Sequence, residues 1–99
     1  MASPPAGPPR VSPSYQTQHA VRLGDTLRLP CPIEAVPAPL ISWTKDGQAI
    51  HAGWERFRLN GDALRVRAAE ATDTGVYVCK ATNGFGSGEA KFLIYVYGE

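Results

Sequence analysis

Histidine, cysteine and methionine are scarce in this chain: its 99 residues include two His, two Cys and one Met. His19 and His51 stand far apart. Cys31 and Cys79 form no CxxC pair, so the closely paired ligands of a zinc site are missing, and no metal or cofactor is expected. An excess of one charge is lacking too. Ten Lys and Arg against nine Asp and Glu leave a net charge of +1, which gives no bulk attraction to nucleic acid. No apolar run approaches the roughly 18 residues of a membrane span, and Met1–Arg10 lacks the apolar stretch of a secretory signal. The chain itself is expected to be soluble.

Catalytic groupings are missing as well. Ser42, Thr44, His19 and His51 fall in no pattern that strands would bring together as nucleophile, base and orienter, and the carboxylates are scattered singly. No enzyme activity is expected. Gly84-Phe85-Gly86-Ser87-Gly88 is rich in glycine, but no helix follows whose N-terminus would hold phosphate. Neither Asn60-Gly61-Asp62 nor Asn83-Gly84-Phe85 is an acceptor for N-linked sugar, because the third residue is not Ser or Thr.

What the chain does contain is short alternating runs separated by turn signals. Residues 1–14 hold more than half of the prolines and few large apolar groups, which predicts a flexible lead-in, with the domain occupying 15–99. After the Gly24-Asp25 turn, Leu27, Leu29, Cys31 and Ile33 point one way and Arg28 the other. Glu34–Pro39 reads as a loop. Leu40–Lys45 follows as a strand with Ile41 and Trp43 inward, and Lys45-Asp46-Gly47-Gln48 as a tight turn. Arg56–Leu59 is predicted to place Phe57 and Leu59 inward. Asn60-Gly61-Asp62 then turns the chain into Ala63–Arg67, with Leu64 and Val66 inward. Tyr77, Cys79 and Ala81 face in along Gly75–Thr82, and Asn83–Gly88 reads as a hairpin loop. Along Glu89–Tyr97, Ala90, Phe92, Ile94 and Val96 face in.

Cys31, then Trp43, then Asp73-Thr74-Gly75-Val76-Tyr77-Val78-Cys79 form a set with one reading. It specifies an all-β fold, an immunoglobulin-like β-sandwich of two antiparallel sheets with Greek-key connections. In that fold a Cys31–Cys79 disulfide joins the sheets, Trp43 packs on it, and the Tyr77 hydroxyl locks the corner before its strand. Only 47 residues separate the cysteines, too few for the added strand pair of variable-type domains, so the intermediate type, the I-set, fits best. The closed loop is worth about 4 kcal/mol on the chain-entropy account, and such a bond persists in oxidising compartments, so an extracellular setting is expected.

From Val21 to Val96 the chain resembles I-set domains of cell-surface receptors, through residues that include Gly24, Leu64, Asp73, Tyr77 and Gly86. Trp43-Thr44-Lys45-Asp46-Gly47, Gly53-Trp54-Glu55-Arg56-Phe57-Arg58 and Val76–Ser87 resemble the first immunoglobulin domain of the fibroblast growth factor receptor-like proteins. That resemblance implies a parent that is a single-pass membrane protein with three such domains, binds fibroblast growth factors and heparin, and takes part in cell adhesion. The partner is then a growth factor or a receptor ectodomain. The alternative is a structural I-set spacer of a cytoplasmic filament or muscle protein, whose cysteines stay reduced.

Two faces are candidates for recognition. Arg28, Arg58, Arg65 and Arg67 are predicted to point outward from one sheet, where planar guanidiniums suit the sulfates of heparin or heparan sulfate. The plainer alternative is a solvated face whose arginines stop edge-to-edge pairing or meet Asp62 and Glu55. Arg56 is set apart, since it is expected to pair with Asp73. On the other sheet Val76, Val78, Leu93, Tyr95 and Tyr97 stand outward as a protein-contact patch, open to weak self-association, unless the lead-in or a following domain covers it. Trp54 is expected to fold back against the core edge rather than serve as an exposed anchor.

Overall fold

The computed structural model describes residues 5–98. Ten strands follow one another: β1 Gly7–Val11, β2 Gln18–Arg22, β3 Leu27–Leu29, β4 Ile33–Val36, β5 Leu40–Lys45, β6 Gln48–Ala49, β7 Phe57–Asn60, β8 Ala63–Val66, β9 Gly75–Asn83 and β10 Gly86–Tyr97. A five-stranded sheet, ordered β2-β10-β9-β5-β6, faces a three-stranded sheet, β3-β8-β7, and β1 pairs with β4. All pairings are antiparallel except that of β2 with β10, which runs parallel.

Alternation along each strand decides what enters the space between the sheets. Leu29, Leu64, Val66, Tyr77, Cys79 and Ala81 are wholly enclosed there, with Trp43, Ala90, Phe92 and Ile94 nearly so. Cys31 and Cys79 are bonded, with their Cα atoms 5.9 Å apart. Trp43 lies directly opposite Cys79 in the β5–β9 register. Its ring stacks on Phe92 at a centroid distance of 5.7 Å, and its indole N–H donates to the Asp62 carbonyl at 3.1 Å. The bulkiest side chain of the core thus has a partner for its polar atom as well as for its faces.

The predicted lead-in is corrected over Gly7–Val11, which form a strand. The predicted Glu34–Pro39 loop is corrected with it, because Ile33–Val36 is the partner. Two prolines in succession suggested a chain without a ladder, yet an edge strand tolerates proline where no neighbour needs its N–H. The pairing slips between Gly7 and Arg10, where Pro8 and Pro9 sit. Likewise Pro30 and Pro32 flank Cys31 and separate β3 from β4.

Two shorter corrections concern loops and edges. The Asn83–Gly88 loop shrinks to a turn at Gly84-Phe85, since Gly86, Ser87 and Gly88 pair with Asn83, Thr82 and Ala81. Leu59, expected inside, is 47% exposed, because β7 is the outer strand of the smaller sheet and leaves that side chain beside open solvent. The Lys45–Gln48 hairpin does turn tightly, with positive φ at Asp46 and Gly47 matching the twist of the strands that it joins.

The difference between inward and outward positions is measurable by urea unfolding. Leu64→Ala, made where the side chain is fully enclosed, is expected to cost about 3 kcal/mol. Leu93→Ala on the outer face is expected to stay within about 0.5 kcal/mol of the parent.

Candidate interaction faces

The smaller sheet carries its arginines by simple alternation. Arg28 lies between inward Leu27 and Leu29, Arg65 between inward Leu64 and Val66, and Arg58 follows inward Phe57. What alternation alone does not fix is register. Arg28 stands directly opposite Arg65, and Arg65 directly opposite Arg58. Three exposed guanidiniums therefore project from adjacent strands in one row, spanning roughly 10 Å at ordinary strand spacing. Like charges placed opposite one another destabilise a sheet. No acid among the described residues pairs with them: the ion pairs there are Lys45–Asp46, Arg56–Glu70 and Arg56–Asp73. Neither Asp62 nor Glu55 forms an ion pair with them. Arg67 is exposed but lies beyond the end of β8, outside this ladder.

Beside the row, Arg56 is a structural cation. Its φ of 70° turns the chain so that Nη1 and Nη2 reach Asp73 Oδ2 and Oδ1 at 2.7 and 3.0 Å, and Nη1 also donates to the Arg67 and Ala68 carbonyls. Asp73 is buried and accepts the Glu70 N–H at 2.8 Å as well. Burial alone would raise its pKa, but the Arg56 and Glu70 hydrogen bonds outweigh that and hold it below the ordinary carboxylate range. The Tyr77 hydroxyl donates to the Asp73 carbonyl at 2.6 Å, and burial pushes the phenol's pKa upward. This corner fixes where β9 begins.

On the outer face of the larger sheet Leu93, Tyr95 and Tyr97 are 43%, 61% and 44% exposed, and the two tyrosine rings stack 6.4 Å apart. Val76 lies opposite Leu93 and Val78 opposite Lys91, both half-buried. Strand β2 continues the face with Gln18, Ala20 and Arg22. A shallow groove of about 660 Å³ runs here, bounded by Gln18, Ala20, Gly75, Leu93 and Tyr95. The described part of the lead-in does not cover it, since Pro8 and Val11 approach β10 at Gly86 and Gly88 instead. Trp54 folds back, half-buried, with its ring 5.2 Å from Phe57.

Three further residues position these faces without a motif to mark them. The Tyr15 hydroxyl donates to the Lys91 carbonyl and accepts its N–H, while the ring packs edge-on to Phe92. An aromatic residue alone in a polar stretch was the available signal. The Asn83 amide donates to the Gly7 and Pro37 carbonyls and so ties β1 to the turn after β4. Asp46 accepts the Val76 N–H at 2.9 Å and sits where any side chain at residue 75 would collide with it, which accounts for Gly75.

The sequence profile described as "Immunoglobulin I-set domain" matches residues 10–96. Among curated proteins, fibroblast growth factor receptor-like 1 of Mus musculus is 51% identical over 90 residues, which is 91% of this chain and 17% of that protein. The chain therefore spans less than a fifth of this relative. Among solved structures, neural ectodermal development factor IMP-L2 is 28% identical with a TM-score of 0.86, covering 97% of this chain and 47% of that one. Titin domain M7 is 23% identical with a TM-score of 0.83, over 97% and 100% of the two chains, a likeness of fold alone.

Removing one partner of the corner pair tests its weight: Asp73→Asn is expected to lower stability by about 3 kcal/mol at neutral pH. The folded pKa of Asp73 lies below its unfolded value, so its contribution is fully present above the unfolded value and disappears as pH falls through the folded one. Urea midpoints of parent and variant, measured from neutral to acid pH, should converge at the acid end.

Proposed function

This chain belongs to the immunoglobulin I-set domains, and from that premise we propose that it is a non-catalytic recognition module of an extracellular receptor, taking sulfated glycosaminoglycan on its arginine row. The carrying observation is the register of Arg28, Arg65 and Arg58, a line of cations without an acidic partner among the described residues. A sheet carries opposed like charges at a cost in stability, which an external polyanion offsets. Guanidinium planes offer each sulfate paired N–H donors, as they do phosphate.

The Cys31–Cys79 bond supports an exported protein, as does the likeness to a receptor-like relative. Growth factor binding and adhesion belong, on this reading, to the parent protein and not to the arginine row. The stacked Tyr95 and Tyr97 favour a second role on the opposite sheet, contact with a protein surface. The rival, a filament spacer with reduced cysteines, predicts two free thiols in the folded domain. A thiol assay on unreduced, denatured protein separates the two.

Heparin affinity chromatography tests the main reading. At about 1 kcal/mol for each exposed ion pair, replacing Arg28, Arg58 and Arg65 together by Ala should weaken binding roughly 100-fold and move elution to lower salt. Unchanged elution of the triple variant would sink the proposal.

A further inference from the structure

Two residues along the strands from the arginine row lies a hairpin with unusual chemistry. Asn60-Gly61 closes β7, and a second Asn-Gly pair, Asn83-Gly84, closes β9. The same dipeptide meets opposite circumstances at the two places. Asn83 is half-buried; its amide nitrogen donates to two carbonyls, and its oxygen accepts the Phe85 N–H at 2.9 Å. Asn60 is exposed, and its carboxamide bonds to no described residue. Gly61 holds a φ of 64° in the two-residue turn, its N–H donates to none of the described residues, and apart from its chain neighbours no described atom lies within 4 Å of where its Cβ would be.

We propose that Asn60 is a site of spontaneous deamidation that delivers a negative charge to the end of the arginine row. The Gly61 backbone nitrogen attacks the Asn60 side-chain carbonyl carbon. A new N–C bond forms, the bond to the amide nitrogen breaks, and ammonia leaves with the proton from Gly61. Water then opens the five-membered imide at one carbonyl or the other, giving aspartate or isoaspartate. Glycine favours the step twice over, because it lacks a Cβ to block the attack and lets the turn rotate. No oxidant, metal or second protein is needed.

Position supplies the consequence. Asn60 lies two residues along β7 from Arg58, on the same side of the strand, and pairs with Ala63, two residues from Arg65. Residue 60 thus stands roughly 7 Å, backbone to backbone, from both arginines, the ordinary two-residue and diagonal spacings of a sheet, within reach of a carboxylate and long side chains. It repels an incoming polyanion and draws the nearer guanidiniums toward itself. Resting as it does on the glycan reading, this second effect makes Asn60 an irreversible timer that lowers the affinity of an ageing molecule.

Two measurements decide the matter separately. The folded domain, held at mildly alkaline pH and body temperature, is digested at intervals and mapped by mass spectrometry with isoaspartate detection. Asn60 should convert several-fold faster than Asn83, and the reduced, urea-unfolded chain should convert both at similar rates. Conversion of folded Asn60 no faster than Asn83 overturns the modification site. In parallel, Asn60→Asp is compared with the parent on heparin. Elution of the variant at lower salt is expected; equal elution of two retained proteins overturns the charge effect. A parent that heparin fails to retain overturns the glycan reading and the timer with it, while the mapping result still decides the site.

Discussion

Trp43 against the Cys31–Cys79 bond is the contact on which the direction of every other side chain depends. Because Trp43 pairs across strands with Cys79, and Cys79 is joined to Cys31 in the opposing layer, one cluster fixes both the spacing of the sheets and the phase of β5 and β9. Side chains in a strand alternate with a period of two, so a slip of one residue would turn the core out and the surface in. The outward stance of Val76, Val78, Leu93, Tyr95 and Tyr97 follows from that phase, through the β9–β10 register. The arginine row follows likewise, through Leu29 and Leu64, paired across the smaller sheet and packed in the same core.

A second constraint joins the smaller sheet to the larger one at its corner. Arg56 and Asp73 bring the start of β7 against the turn that precedes β9, and Tyr77 closes that turn from inside. A cation that neighbours the arginine row in sequence is thereby removed from it. Arg56 spends its donors on Asp73 and on the Arg67 and Ala68 carbonyls, whereas Arg28, Arg58 and Arg65 keep theirs turned to solvent or to a neighbouring carbonyl. Charge count alone would have merged Arg56 with the row; hydrogen-bond geometry separates them.

How far the sequence could be read differs from place to place. Trp43, Tyr77 and the inward series of β10 were legible because alternation and fold-specific spacing are local patterns. The partner of Arg56 was also legible, since an arginine before an inward aromatic and an aspartate before the corner belong to the same fold. Strand β1 was not. Its prolines suppress the local signal for a strand, and its pairing with β4 depends on a contact between segments distant along the chain. Leu59 misled for the converse reason: its alternation is correct, but no strand among the described residues lies beyond β7 to cover it.

Residue pattern by itself determined the sandwich and the disulfide, through the fold-specific spacing of Cys31, Trp43, Tyr77 and Cys79, and which faces carry arginine and which carry tyrosine, through alternation along one strand at a time. Only the folded chain decided that Arg28, Arg65 and Arg58 stand in one row while Arg67 falls outside it, and that Asn83 is held while Asn60 is free. Register between strands and the reach of one loop to another are relations between distant segments. No single stretch of sequence contains them; the packing of the whole core sets them together.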